Sequence, residues 1–174
     1  MMTAMIVAVS SALACAHPPP SPQAPPSAPS RLLGGPSPSF RRPTLQGGEF
    51  DSGRAADRVL VVDFFAAYCQ PCRRSLPALE ALHRRRPDLA IVGVSVDAVV
   101  TDARGLVLRH RLTFPVVHDP TSAIAGRFRV TELPASFVVD RSGRIAWVGG
   151  GDQPEDALVR AAEVALAAPV VSRR

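Results

Sequence analysis

The chain has no lysine and no asparagine, one tryptophan, one tyrosine, and three cysteines among its 174 residues. With lysine absent, the formal charge of +5 is carried by arginine alone. The arginines are scattered as Arg73 and Arg74, residues 84–86, Arg109 and Arg111, and Arg173 and Arg174. Few aromatics are interleaved with them and no nucleic-acid motif accompanies them, so the high pI does not amount to a nucleic-acid footprint. An Arg-for-Lys bias from a GC-rich genome explains the charge at least as well. Aromatics at 5% leave a core to be built largely from Val, Leu, Ala and Ile. Three cysteines are too few for a disulfide-scaffolded secreted domain. Two of them, Cys69 and Cys72, form a Cys-x-x-Cys, which is a redox or metal spacing; Cys15 stands far away.

What is present at the N-terminus reads as an address. Residues 5–14 are a short apolar run ending in Ala12-Leu13-Ala14-Cys15. The run is too short to span a bilayer but suits the apolar region of a signal peptide, assigned here to residues 1–16. Cleavage before Cys15 would leave a cysteine for lipid attachment; cleavage at the Ala-x-Ala pattern would release a soluble protein. Leu13 sits two residues before the cysteine, where the lipoprotein pattern prefers three. Residues 17–43 are rich in proline with little to bury, and are expected to be a disordered, partly polyproline II spacer. A spacer directly after a lipidation candidate would lift a folded domain off a membrane surface. Export to the periplasm or cell envelope follows as an expectation.

From Thr44 the composition changes, and residues 44–168 are expected to fold, followed by a tail at 169–174. Residues 59–65, VLVVDFF, form a near-continuous apolar run and predict a buried central strand. After Cys72 comes a helical pattern with Leu76, Leu79 and Leu82 on one face, kinked at Pro77 and stopped by Pro87. Residues 90–96 predict a second buried strand, 102–111 a helix and 114–117 a short strand. A helix over 121–128 has Thr121 as its cap. Residues 135–140 and 145–148 predict a hairpin, and 154–167 a last helix with Pro154 in its first turn. Parallel units followed by a hairpin and a helix give an α/β fold, a three-layer sandwich on a mixed sheet.

Chemistry concentrates at three places. Cys69 stands where a strand ends and a helix begins, where unpaired N–H groups and the helix dipole favour a thiolate. Pro71 restricts the loop, and Arg73 and Arg74 add positive charge. Half a zinc site is the competing reading, but only His17, His83, His110 and His118 exist, without matched spacing. Asp63 is a lone acid in an apolar run. It is either a desolvated carboxyl of raised pKa, able to exchange a proton with the resolving thiol, or a side chain turned to solvent. Leu133-Pro134-Ala135 opens a strand, and opposite a Cys-x-x-Cys Pro134 becomes a candidate cis-proline that leaves the Leu133 backbone free for a substrate strand.

Together, VVDFFAAYCQPCRRSLPALEAL and ELPASFVVDRSGRIAWVGGG resemble the active-site segment and cis-proline hairpin of the thioredoxin superfamily, over about residues 50–167. The middle section FPVVHDPTSAIAGRFRV is similar to the TlpA/ResA branch, the membrane-tethered thiol reductases of bacterial envelopes, and implies a helical insertion. The resemblance implies Cys69 as attacking thiol, Cys72 as resolving thiol, Pro134 as cis, and Asp63 as the buried acid. Tyr68 replaces the usual Trp and keeps an aromatic cover. Ser75 stands where many TlpA/ResA-type proteins carry a glutamate, which leaves a cytochrome c maturation role open, and Asp63 is the candidate to supply the acid–base function instead.

The expectation is a protein-disulfide reductase: Cys69 thiolate attacks a partner disulfide, and Cys72, assisted by Asp63, resolves the mixed disulfide. Tyr68, Pro71, Leu133 and Pro134 would meet the substrate. No metal or organic cofactor is expected, and a membrane electron donor is implied by the resemblance. Operation as an oxidant is the alternative within the class. A copper metallochaperone using Cys69, Cys72 and His118 is the alternative outside it. Peroxide reduction is disfavoured, because a peroxidatic cysteine is usually set apart from its resolver.

Overall fold

In the computed structural model, residues 31–169 are described, apart from Ala56, Asp152 and Glu155. The expected signal segment, with Cys15 and most of the proline-rich stretch, lies outside the described residues. Strand β3 (Val59–Phe65) is buried at every residue and is the middle of a five-stranded sheet. It pairs in parallel with β4 (Leu89–Ser95), which pairs in parallel with β5 (Val116–His118). On its other side β3 pairs antiparallel with β6 (Ala135–Val139), which forms a hairpin with β7 (Ile145–Gly150). Burial on both faces explains why β3 reads as a continuous apolar run rather than an alternating one.

Alternation along β3 divides the core in two. Val59, Val61 and Phe65 face helices α1 (Gln70–Arg85), α2 (Val100–His110) and α4 (Ala157–Ala167), meeting Leu76, Leu79, Leu82, Leu106 and Ala162. Leu60, Val62 and Phe64 face the short helix α3 (Ala123–Arg127), which fills the segment where a helical insertion was expected. Helix α1 continues through Pro77 to Arg85. The scarce aromatics are not spread thinly. Phe40, Phe50, Phe64, Phe128 and Phe137 form one chain of ring contacts on the α3 face, with centroids 5.0–6.1 Å apart.

The folded unit begins earlier than Thr44. Phe40 is buried, and strands β1 (Arg41–Pro43) and β2 (Glu49–Asp51) form a hairpin. Thr44 bridges Val117, and the Gln46 amide both donates to the Phe114 carbonyl and accepts from the Val116 N–H, pinning this hairpin to the β5 edge. Further upstream, Gly34 donates to Ile145, Ile145 to Gly35, and Ser37 to Gly143. Proline content suggested a spacer here, but these backbone pairs and one buried ring hold residues 34–43 to the domain.

Two expected helix starts move. Thr121 does not cap α3; the buried Asp119 carboxylate accepts from the N–H groups of Ala123, Ile124 and Ala125, all at 2.9 Å. Helix α4 begins at Ala157, so Pro154 precedes it. No helix among the described residues is long and apolar enough to cross a membrane.

Candidate redox site

The turn Ala66–Ala67–Tyr68 carries the chain from the end of β3 to α1, and Cys69 is the N-cap of that helix. Its Sγ accepts the Cys72 N–H at 3.2 Å, one of the N–H groups a helix start leaves unpaired. Pro71 lies in the first turn, where its missing N–H costs nothing. Cys69 and Cys72 form a disulfide with Cα atoms 5.3 Å apart. The two sulfurs are not equivalent: Cys69 is 6% exposed and borders a groove, whereas Cys72 is 0% exposed.

That groove has a volume of about 620 Å³ and is walled by Tyr68, Cys69, Pro71, Val96, Thr131 and Leu133. The exposed Tyr68 ring forms one lip. Opposite it, the Leu133–Pro134 peptide is cis. The Leu133 N–H and carbonyl enter no backbone hydrogen bond among the described residues. Ser122 and Ala125 of the α3 region complete the far wall.

Asp63 shares a strand parity with Val61 and Phe65, which places it on the face of α1 and the cysteines. It is 2% exposed, which removes the solvent-facing reading, because both sheet faces are covered. Burial pushes its carboxyl up to about 7, against a hydrogen bond from Ser136 that acts in the opposite direction. The Ser136 hydroxyl donates to Asp63 Oδ1 at 2.5 Å.

Sequence reasoning missed Ser136 and Asp97. Ser136 is legible only once the β3–β6 register pairs it with Asp63. Asp97 is 3% exposed; it accepts the Ala67 N–H at 2.8 Å and the Ser95 hydroxyl at 2.9 Å, and so fixes the turn leading to Cys69. His118 donates through Nε2 to the Asp97 backbone oxygen at 2.7 Å. That oxygen can only accept, so the contact requires Nε2 to carry the proton. No group of three or more His, Cys, Asp or Glu side chains that could hold a metal ion occurs among the described residues.

Residues 33–148 match the family model described as AhpC/TSA family. The thiol-disulfide oxidoreductase ResA of Bacillus anthracis is 26% identical over 128 residues, covering 72% of this chain and 74% of that protein. The thioredoxin-like protein YneN of Bacillus subtilis is 30% identical over 113 residues, covering 63% and 66%. Among solved structures, a thiol:disulfide interchange protein of the thioredoxin family from Chlorobium tepidum superposes with a TM-score of 0.69 at 26% identity, covering 80% of this chain and 100% of that one.

Proposed function

The chain belongs to the AhpC/TSA family, and within it we propose that Cys69 and Cys72 are the redox centre of a protein-disulfide reductase. One observation carries the reading: the two sulfurs form a disulfide at a helix start with one sulfur bordering an open groove and the other enclosed. An enclosed sulfur cannot meet a protein substrate, so the division of labour is set by exposure. Cys69, as thiolate, attacks a substrate disulfide and forms a mixed disulfide while the first substrate thiolate leaves. The helix N-terminus stabilises the negative charge that this thiolate carries. Tyr68, Pro71 and Leu133 receive the substrate backbone in the groove, with the cis Pro134 setting the course of the chain directly after Leu133.

Cys72 then loses its proton, attacks Cys69 Sγ and closes the internal disulfide, and the second substrate thiolate departs. Two electrons pass from the dithiol to the substrate. Asp63, on the cysteine face and held near neutrality, takes the Cys72 proton. The ResA relative, named a thiol-disulfide oxidoreductase, supports the class of reaction.

The deciding experiment equilibrates the reduced and oxidised chain against glutathione and dithiothreitol. A potential near about −270 mV fits a reductase; one near about −120 mV reverses the direction to a disulfide donor. Absence of a reversible Cys69–Cys72 couple rejects both. For cellular placement, the reading is an envelope protein held through Cys15 and recharged by a membrane electron donor. Metabolic labelling with a radioactive fatty acid, in the wild type and in Cys15→Ser, tests the anchor. Label lost in the variant supports it, and an unlabelled wild type rejects it.

A further inference from the structure

We propose that the Ser136 hydroxyl is the route by which the buried Asp63 carboxyl exchanges its proton with solvent, through a small cavity behind Pro134. This rests on the disulfide-exchange reading and deepens it. Asp63 is 2% exposed and does not line the groove or the cavity behind Pro134. Ser136 touches both sides: its Oγ is 2.5 Å from Asp63 Oδ1, and the residue also lines a cavity of about 90 Å³ with Pro71, Ser75, Pro134, Trp147 and Gly149. That volume has room for water, and a hydroxyl can donate and accept at once.

Other elements around Asp63 offer no substitute. Across the sheet its register partner is Gly93, where a Cβ would come within 2.7 Å of the Phe65 ring and 3.1 Å of Phe114. Those rings fill the space a polar side chain would need. From α1 and its N-cap the titratable or charged groups at the cavity and the adjoining core are the two thiols and Arg74, while the buried Glu80 of the same helix is engaged by Thr113 and Arg84. From β6 the polar group is Ser136 itself. From α4 the wall is formed by Leu158 and Val159.

The proton balance requires such an exit. When Cys72 attacks Cys69, its S–H proton goes to the Asp63 carboxylate, the Cys69–Cys72 bond forms, and the mixed disulfide breaks with its electron pair leaving on the substrate sulfur. Asp63 is then protonated inside the core. Ser136 accepts that proton on Oγ while passing its own to water in the cavity, and the reverse sequence operates when the disulfide is reduced again.

Trp147, the one tryptophan of the chain, lines the same cavity, and its fluorescence is the signal to be followed, with thiol quantification after acid quench as the second readout of disulfide closure. The test is a stopped-flow single turnover of the reduced full chain against a disulfide-bonded peptide, from about pH 5 to about pH 9, for wild type, Ser136→Ala, Ser136→Thr and Asp63→Asn. Ser136→Ala is expected to slow closure by about tenfold or more at and below neutral pH, where Asp63 must lose a proton through the relay before it can take that of Cys72, and to raise the midpoint of the pH profile. Ser136→Thr, which keeps the hydroxyl, is expected to restore both. The proposal is overturned if Ser136→Ala keeps the wild-type rate and midpoint while Asp63→Asn is slow. It is equally overturned if a folded Ser136→Thr behaves like the alanine variant. A wild type that never closes a disulfide against the peptide instead defeats the disulfide-exchange reading, and this proposal falls with it.

Discussion

The Asp97 carboxylate accepts the backbone N–H of Ala67, two residues before Cys69, at 2.8 Å. Because Asp97 follows β4 while Ala67 follows β3, this bond ties the turn that carries the nucleophile to the neighbouring strand's exit. Asp97→Ala leaves a part-buried N–H and the Ser95 hydroxyl without this acceptor, at a cost of about 1–3 kcal/mol. Urea denaturation should show that loss. Alkylation of reduced Cys69 by iodoacetamide should also change in rate, because the turn that presents the sulfur is released. Asp97→Asn keeps an acceptor oxygen and should lie between the two. Wild-type stability and alkylation in the alanine variant would mean that the turn holds its shape unaided.

Asp63 makes stability depend on pH in a defined direction. Its folded-state pKa of about 7 lies above the ordinary value of 3.8, so the folded chain holds this proton more tightly than the unfolded chain does. The contribution is complete below about pH 4, is lost as pH rises towards about 7, and changes little beyond. Ionising the buried carboxyl thus costs the folded state roughly 4 kcal/mol at most. Asp63→Asn should match the oxidised wild type at about pH 4 and exceed its stability at about pH 8, as read by urea melts. An equal difference at both pH values would refute the raised pKa.

The groove depends on one buried carboxylate at some distance from the sulfurs. Asp119 accepts three N–H groups at the start of α3, and this segment supplies Ser122 and Ala125 to the groove wall. Asp119→Ala should destabilise the chain by about 2 kcal/mol or more. It should also raise KM for a protein disulfide more than it lowers kcat, since the wall loosens while the sulfurs stay in place. A loss confined to kcat would contradict that assignment.

The two cysteines should separate cleanly by trapping. Cys72→Ser leaves Cys69 able to form a mixed disulfide that nothing resolves, so covalent adducts should accumulate on non-reducing gels. Cys69→Ser leaves a thiol with no surface at the groove, and adducts should be absent. Adducts forming equally on both variants would overturn the assignment of attacking and resolving thiols.

Much of the frame around these residues was legible in the sequence, because strongly patterned segments fold as their patterns dictate. VLVVDFF became the central strand and Leu76, Leu79 and Leu82 became the buried stripe of α1. Segments with weaker patterns were harder to read. The hairpin β1–β2 and the docking of residues 34–37 depend on long-range backbone pairs, whose partners lie at Val117 and Ile145 and leave no local signature. The cap of α3 was misplaced because a carboxylate four residues before the first helical residue outcompetes the nearer Thr121 hydroxyl. Asp63 was ambiguous for a related reason. Strand alternation gives a face, but only the helices packed on that face decide whether it is dry.

The docking of residues 34–37 also sets a direction. They pair with Gly143 and Ile145 at the β6–β7 turn, and the antiparallel register of β3 and β6 puts that turn beside Leu60, at the opposite end of β3 from Cys69. Along the strand that separation is about 15 Å. The described chain therefore enters the domain at its rear. A force applied through residues 34–37 would be borne by the hairpin's heel, and the reactive sulfur would face forward, at the far end of the sheet.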